Sequence, residues 1–270
     1  MTTSDTTQAT SSGWSVSVLA ALARSEYRKT VSTSAWWALL IPAAVLCWLI
    51  GLIMAKIAAL ATTFPISQAF ALSVIGTKFV AILGVVSTTS EFRHRTVTTS
   101  YLVSSGRLQL LLAKAAVAGA IGVGYAIVCS LLSGVGILMA GGDLTDDSGG
   151  FFGVSAVALV VFLFWAVLGV GLGALLNNQA VAIIGLLVYL MLGEQLVNAF
   201  AIATGVGHVQ SYLPGGSSSE SLNNLAASGA IGDLLSESTM PWWLSLIIFM
   251  AYAIAIFVAG VLVSRARDVT

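Results

Sequence analysis

Charge is what this chain has least of. Only 8% of its 270 residues are Asp, Glu, Lys or Arg, where a soluble domain carries about 25%. Apolar residues make up 58% and the mean hydropathy is +0.99. A soluble fold of this length cannot hide so much apolar surface, whereas lipid accepts it. Cysteine and histidine are nearly absent, at two each. Cys47 and Cys129 fall inside apolar runs and read as small packing residues, without metal-ligand or disulfide spacing. His94 sits among basic residues and His208 at a loop edge, neither with a partner cluster. Lys29-Thr30 lacks the glycine frame of a phosphate-binding loop, and neither His-Glu-x-x-His nor Gly-x-Ser-x-Gly occurs. Nothing here supports an enzyme. Residues 1–12 are Ser/Thr-rich with no basic n-region, so no signal peptide is expected. Residues 1–13 read as a disordered cytosolic N-terminus.

What the chain does have is apolar runs of about 20 residues or more, enough to cross a bilayer as helices. We read six: Ala35–Ile57, Ile66–Ser87, Leu108–Ala140, Phe151–Leu176, Ala180–Thr204 and Pro241–Ser264. None alternates with period two, and all are longer than barrel strands. The expected fold class is an all-α integral membrane protein, with one six-helix transmembrane domain over 14–264 and a cytosolic tail at 265–270. The third run is too long for one perpendicular crossing, so it tilts or projects from the membrane. Lys114 near its start is expected to snorkel to the surface.

The few charges are sorted by side. Arg24, Arg28 and Lys29 precede the first span, Arg93, Arg95 and Arg107 lie between the second and third, and Arg265 and Arg267 follow the sixth. Asp143, Asp146 and Asp147, then Glu220, Asp233 and Glu237, occupy loops of the other side that lack Lys and Arg. The positive-inside rule therefore puts both termini in the cytosol. The Asn177-Asn178-Gln179 turn between spans four and five carries no charge.

Trp14, Val18 and Leu22 recur at spacing four before the first span, apart from Ser17, Arg24 and Arg28. That pattern predicts an interfacial amphipathic helix. The loop Glu91–Arg107 mixes charge with Phe92, Tyr101 and Leu102, as a docking surface would. The outer stretch His208–Met240 opens on Tyr212-Leu213-Pro214-Gly215-Gly216, a turn signal, followed by serines and a weakly amphipathic run. It reads as helices on or dipping into the outer leaflet, or as a solvated loop. Trp36, Trp37, Trp242 and Trp243 suit interfacial belts, and Pro241 suits a first helical turn. Gly169 and Gly173 form a Gly-x-x-x-Gly pair in an apolar helix, read as a close helix contact, as are Gly119, Gly122 and Gly124.

These elements in order resemble the transmembrane subunit of a bacterial type-2 ATP-binding-cassette (ABC) transporter permease. The resemblance runs nearly end to end. It rests on Glu26-Tyr27-Arg28-Lys29, Glu91-Phe92-Arg93-His94-Arg95-Thr96, Arg107 with Lys114, Leu213–Gly216, Pro241-Trp242-Trp243 and Arg265-Ala266-Arg267-Asp268. Two positions depart from the usual loop pattern, Arg95 in place of a glycine and Ser105 in place of a proline. The resemblance implies a permease subunit of an ATP-driven exporter in the bacterial cell membrane. Its partners would be a second permease subunit, identical or not, a cytosolic ATP-binding subunit that holds ATP and Mg, and membrane lipids, with no nucleic acid. It also implies that Glu26, Arg28, Glu91, Arg93 and Thr96 couple to the ATPase. The rival readings are an autonomous secondary carrier driven by an ion gradient and a membrane sensor or scaffold.

Lys78 and Glu194 fall at the centres of spans two and five. An isolated charge there costs about 2.5–3.5 kcal/mol or more. They are expected to pair with each other, to line a translocation route, or to make separate structural hydrogen bonds.

Overall fold

Apolar runs with no period-two pattern satisfy their backbone groups within themselves only as helices, and every long element found is a helix. The computed structural model describes residues 16–60, 75–93, 107–142, 148–206, 209–227 and 240–266. The helices are α1 (Val16–Ser32), α2 (Ala35–Leu60), α3 (Gly76–Arg93), α4 (Arg107–Met139) and α5 (Ser148–Leu176). They continue with α6 (Gln179–Val188), a π-helical turn (Tyr189–Gly193) and α7 (Glu194–Ala203), then α8 (Pro214–Ala227) and α9 (Trp242–Ala266).

Five stretches are long and apolar enough to cross a membrane: Ala35–Ile57, Leu108–Met139, Ser148–Leu176, Gln179–Ala203 and Trp242–Ala266. They match the expected first, third, fourth, fifth and sixth runs within a few residues. Only the later part of the second run, as α3, falls among the described residues. Outside them lie 1–13, Trp14, His94, Arg95, Thr96, His208, Arg267 and the loop acids Asp143, Asp146, Asp147, Asp233 and Glu237.

α5 is the central helix, packed against α3, α4 and α9, while α2 packs along α4. Small residues make this possible. A Cβ on Gly169 would collide with the Ala81 carbonyl of α3, one on Gly173 would meet the Val85 carbonyl at 3.0 Å, and one on Gly84 would run into α5. The Gly-x-x-x-Gly pair is thus the α3–α5 contact. Gly119 and Gly122 of α4 face Leu163 and Phe162 of α5 in the same way, but Gly124 faces open space. Trp165, Tyr125 and Phe249 fill the core, and the Tyr125 hydroxyl donates to the Trp36 carbonyl.

Between α5 and α6 the chain reverses in two residues. Asn177 takes a left-handed conformation, φ 51°, which asparagine tolerates. The Asn178 side chain then caps α6 by accepting from the Val181 N–H at 3.2 Å. This turn lies at the α1 end of the bundle, because Gln179 lines one cavity with Glu26, Ser87 and Lys114. The ends of α5 and α9 meet the start of α4 there, through Ala174, Val261 and Leu111.

The stretch after Leu213 is neither a plain loop nor a surface helix. α8 packs against α5 and α9, with Ser217, Ser218 and Ser221 fully buried. Its later part lies near the start of α9, where the Asn224 amide donates to the Met240 carbonyl at 3.0 Å. Its first turn meets Glu194, the first residue of α7 and nine residues, about 14 Å at 1.5 Å per residue, from that helix's end at Ala203. α8 therefore folds back into the bundle. Buried serine hydroxyls donate to carbonyls within the helix, as from Ser218 to Gly215 and from Ser221 to Ser218, so these hydroxyls are satisfied internally.

Candidate functional sites

Two groups of charged side chains are built into this bundle. The first sits where α1 crosses the helix ends. Val18 and Leu22 start a spacing-four stripe that continues to Glu26, the buried residue of that stripe at 4% exposure. Its carboxylate accepts from Lys29 Nζ at 2.6 Å and from Lys114 Nζ of α4 at 2.6 Å. Lys114 Nζ also donates to the Ser87 carbonyl of α3 at 3.3 Å. One ammonium group thus joins α1, α3 and α4. Burial pushes the Glu26 carboxyl up, but the charges and hydrogen bonds of Lys114 and Lys29 more than reverse this and hold it below the ordinary carboxylate value.

This arrangement corrects the expectation for Lys114. It does not snorkel to the surface but is buried, at 4% exposure. α1 covers the start of α4 and brings Glu26 with it, so the ammonium finds a carboxylate rather than water. A cavity of about 370 Å³ opens beside the pair, lined also by Thr30, Ser34, Ser90 and Gln179. Of the other residues singled out for coupling, Arg28 is exposed on α1. Glu91 and Arg93 belong to the last turn of α3, beyond Ser87.

The second group lies mid-bundle. Glu194 is 3% exposed, and its carboxylate accepts from the Gly215 N–H at 2.6 Å and the Gly216 N–H at 3.1 Å. These are first-turn amides of α8, which a helix leaves without internal partners. Pro214 has no N–H to satisfy, and the Ser217 N–H reaches the Leu213 carbonyl. The whole turn is capped, and the positive end of its dipole faces the carboxylate. A Cβ at Gly215 would strike the Glu194 carboxylate, and one at Gly216 would strike the Gln210 carbonyl. That is the physical reason for Pro-Gly-Gly at this place.

Lys78 has a different neighbour. Its Nζ stands 4.0 Å above the centre of the Trp165 ring, a cation–π geometry, and the side chain remains partly exposed. Trp165 in turn packs against Phe249 with ring centres 5.2 Å apart. Lys78 and Glu194 are close enough to interact electrostatically, but no ion pair joins them. Each has its own structural partner. The π-helical turn Tyr189–Gly193 directly precedes Glu194, and such insertions are frequent at functional sites. Sequence patterning had no signal for it. Trp165 was also missed, because a tryptophan inside an apolar run looks like any core residue.

Long apolar helices, close glycine contacts and a carboxylate buried inside the bundle are those of a multi-pass helical membrane protein. No family model matches the chain, and no curated protein matches it.

Proposed function

We propose that this chain is the membrane-spanning permease subunit of an ATP-driven ABC exporter. In this reading it supplies half of a translocation pathway across a bacterial cell membrane, with both termini and α1 on the cytosolic side. It pairs with a second permease subunit, and ATP and Mg belong to a separate cytosolic subunit. The sequence elements that resemble type-2 permeases suggest it, and one observation supports it best. Lys114 ties Glu26 on the surface helix to the ends of α3 and α4. A push on α1 or on the loop after α3 is therefore carried into the bundle by buried, charge-assisted contacts. That is the mechanical link a separate ATPase requires. Glu26 acts in the link itself, while Arg28, Glu91, Arg93 and Thr96 offer contacts for the partner.

The test is co-purification of the chain with a Walker A protein encoded beside it, followed by ATPase and export assays in proteoliposomes. ATPase stimulation lost on Glu91→Ala or Arg93→Ala, in a complex that still assembles, is the expected result. The π-helical turn and α8, folded back beside Glu194, favour a second reading, since discontinuous helices at mid-membrane are a habit of secondary carriers. Transport by the chain alone in ATP-free proteoliposomes would establish that reading and overturn the first.

A further inference from the structure

Glu194 and Lys78 are not equally compensated. Glu194 faces two N–H donors and the positive end of α8. Lys78 faces an aromatic ring, and among the described residues no carboxylate or carbonyl accepts from its ammonium group. The ring offers a second donor. Trp165 is fully buried, and its indole Nε1 has no hydrogen-bond acceptor, although a buried indole N–H ordinarily finds one. An ammonium and an indole N–H without acceptors therefore meet on one residue pair at the centre of the bundle. Nearly all polar groups buried in native proteins are satisfied. Two neighbouring donors without an acceptor among the described residues, one of them fully buried, fit an acceptor supplied by a bound ligand.

The acceptor must carry negative charge, because it faces a cation and a donor. It must also bring an apolar body. Phe249 packs on the Trp165 ring within the apolar core of the bundle, and a small hydrated anion would lose its water there with too few donors to replace it. The partial exposure of Lys78 leaves a side from which a ligand can approach.

We propose that Lys78 and Trp165 form a binding site for the anionic headgroup, phosphate or carboxylate, of an amphiphile held at membrane depth. This names the cargo class for the transport reading and rests on that reading for its purpose, but the binding itself needs no ATPase.

The test uses the full chain in phosphatidylcholine nanodiscs without any partner. Dodecyl phosphate, dodecanoate, dodecyltrimethylammonium, dodecyl maltoside and inorganic phosphate are titrated separately. Wild type should bind the two anionic amphiphiles about tenfold or more tighter than the cationic and neutral ones, and Lys78→Gln should lose that preference. Lys78→Arg should keep it, and Trp165→Phe should weaken it while leaving the ring in place. Photoactivatable dodecyl phosphate on wild type, which needs no variant to fold, should label peptides of α3 and α5. Equal binding of all the amphiphiles, labelling confined to other helices, or inorganic phosphate binding as tightly as dodecyl phosphate would overturn the proposal. A chain that prefers anionic amphiphiles but recruits no ATPase would sink only the permease reading. One that couples to an ATPase without that preference would sink only this one.

Discussion

At the residue scale, the sharpest feature is a salt bridge that crosses helices. Removing one member of a buried pair strands the other charge, whereas replacing both with apolar groups is often close to neutral. Glu26→Gln should therefore cost about 3 kcal/mol, since Lys114 loses its carboxylate under α1. The double variant Glu26→Gln/Lys114→Met should recover most of that loss. Thermal unfolding in detergent checks both, and a double variant no better than the single would remove the pair from the account. The pH dependence follows from the same contact. The folded carboxyl lies below its ordinary value of 4.5. Its contribution is thus complete above about pH 4.5 and is lost as pH falls through the lower folded value. Wild type should lose stability relative to Glu26→Gln only on the acid side of that window, as unfolding curves at stepped pH would reveal.

Elements are held together here by absent side chains. In a bundle whose surroundings are as apolar as its core, helices associate by close packing rather than by expulsion of water. Gly169→Val should drive α3 from α5 and cost several kcal/mol, as overpacking does at about 1–3 kcal/mol and occasionally more. Gly124→Ala meets nothing and should be neutral or stabilising by about 0.5–1 kcal/mol, the usual advantage of alanine in a helix. A thermal-stability comparison of the two separates helix contact from helix propensity. The cap of α8 makes a second prediction. Glu194→Ala leaves two buried amides without an acceptor and should cost about 1–3 kcal/mol. The loss should appear as faster hydrogen exchange at the start of α8, and unchanged exchange there would refute the capping role. Much of this was visible in the sequence. The glycine spacing named the α5 contact face, and Pro214-Gly215-Gly216 announced a turn. Their partners were not visible, because Ala81 lies 88 positions before Gly169 and Glu194 lies 21 before Gly215.

For the whole molecule, the clustering of Arg24, Arg28, Lys29 and Arg265 at one end of the bundle predicts a common side for both termini. Lys56, near the far end of α2, is the described exception. Cysteines introduced at Ser25 and Asp268 should be labelled together by a membrane-impermeant maleimide from the cytosolic side only. Native Cys47 and Cys129 are buried and should leave the background low. Labelling of the two sites from opposite sides would break the six-span topology.

The sequence alone determined that the chain is helical and strongly apolar, and it located five helices long and apolar enough to cross a membrane to within a few residues. Hydropathy and period are properties of adjacent residues, so they need no fold to be read. It also singled out Lys78 and Glu194, because a charge inside an apolar run is costly wherever it points, while Glu26 and Lys114 stood out through the resemblance to type-2 permeases. Only the tertiary structure decided what each of them touches. Glu26 meets Lys114 across 88 positions, Lys78 meets a tryptophan, and Glu194 meets the start of a helix that turns back into the bundle. A long side chain reaches every helix around it, and spacing along the chain does not choose among them. Packing does, by fixing which helix arrives first.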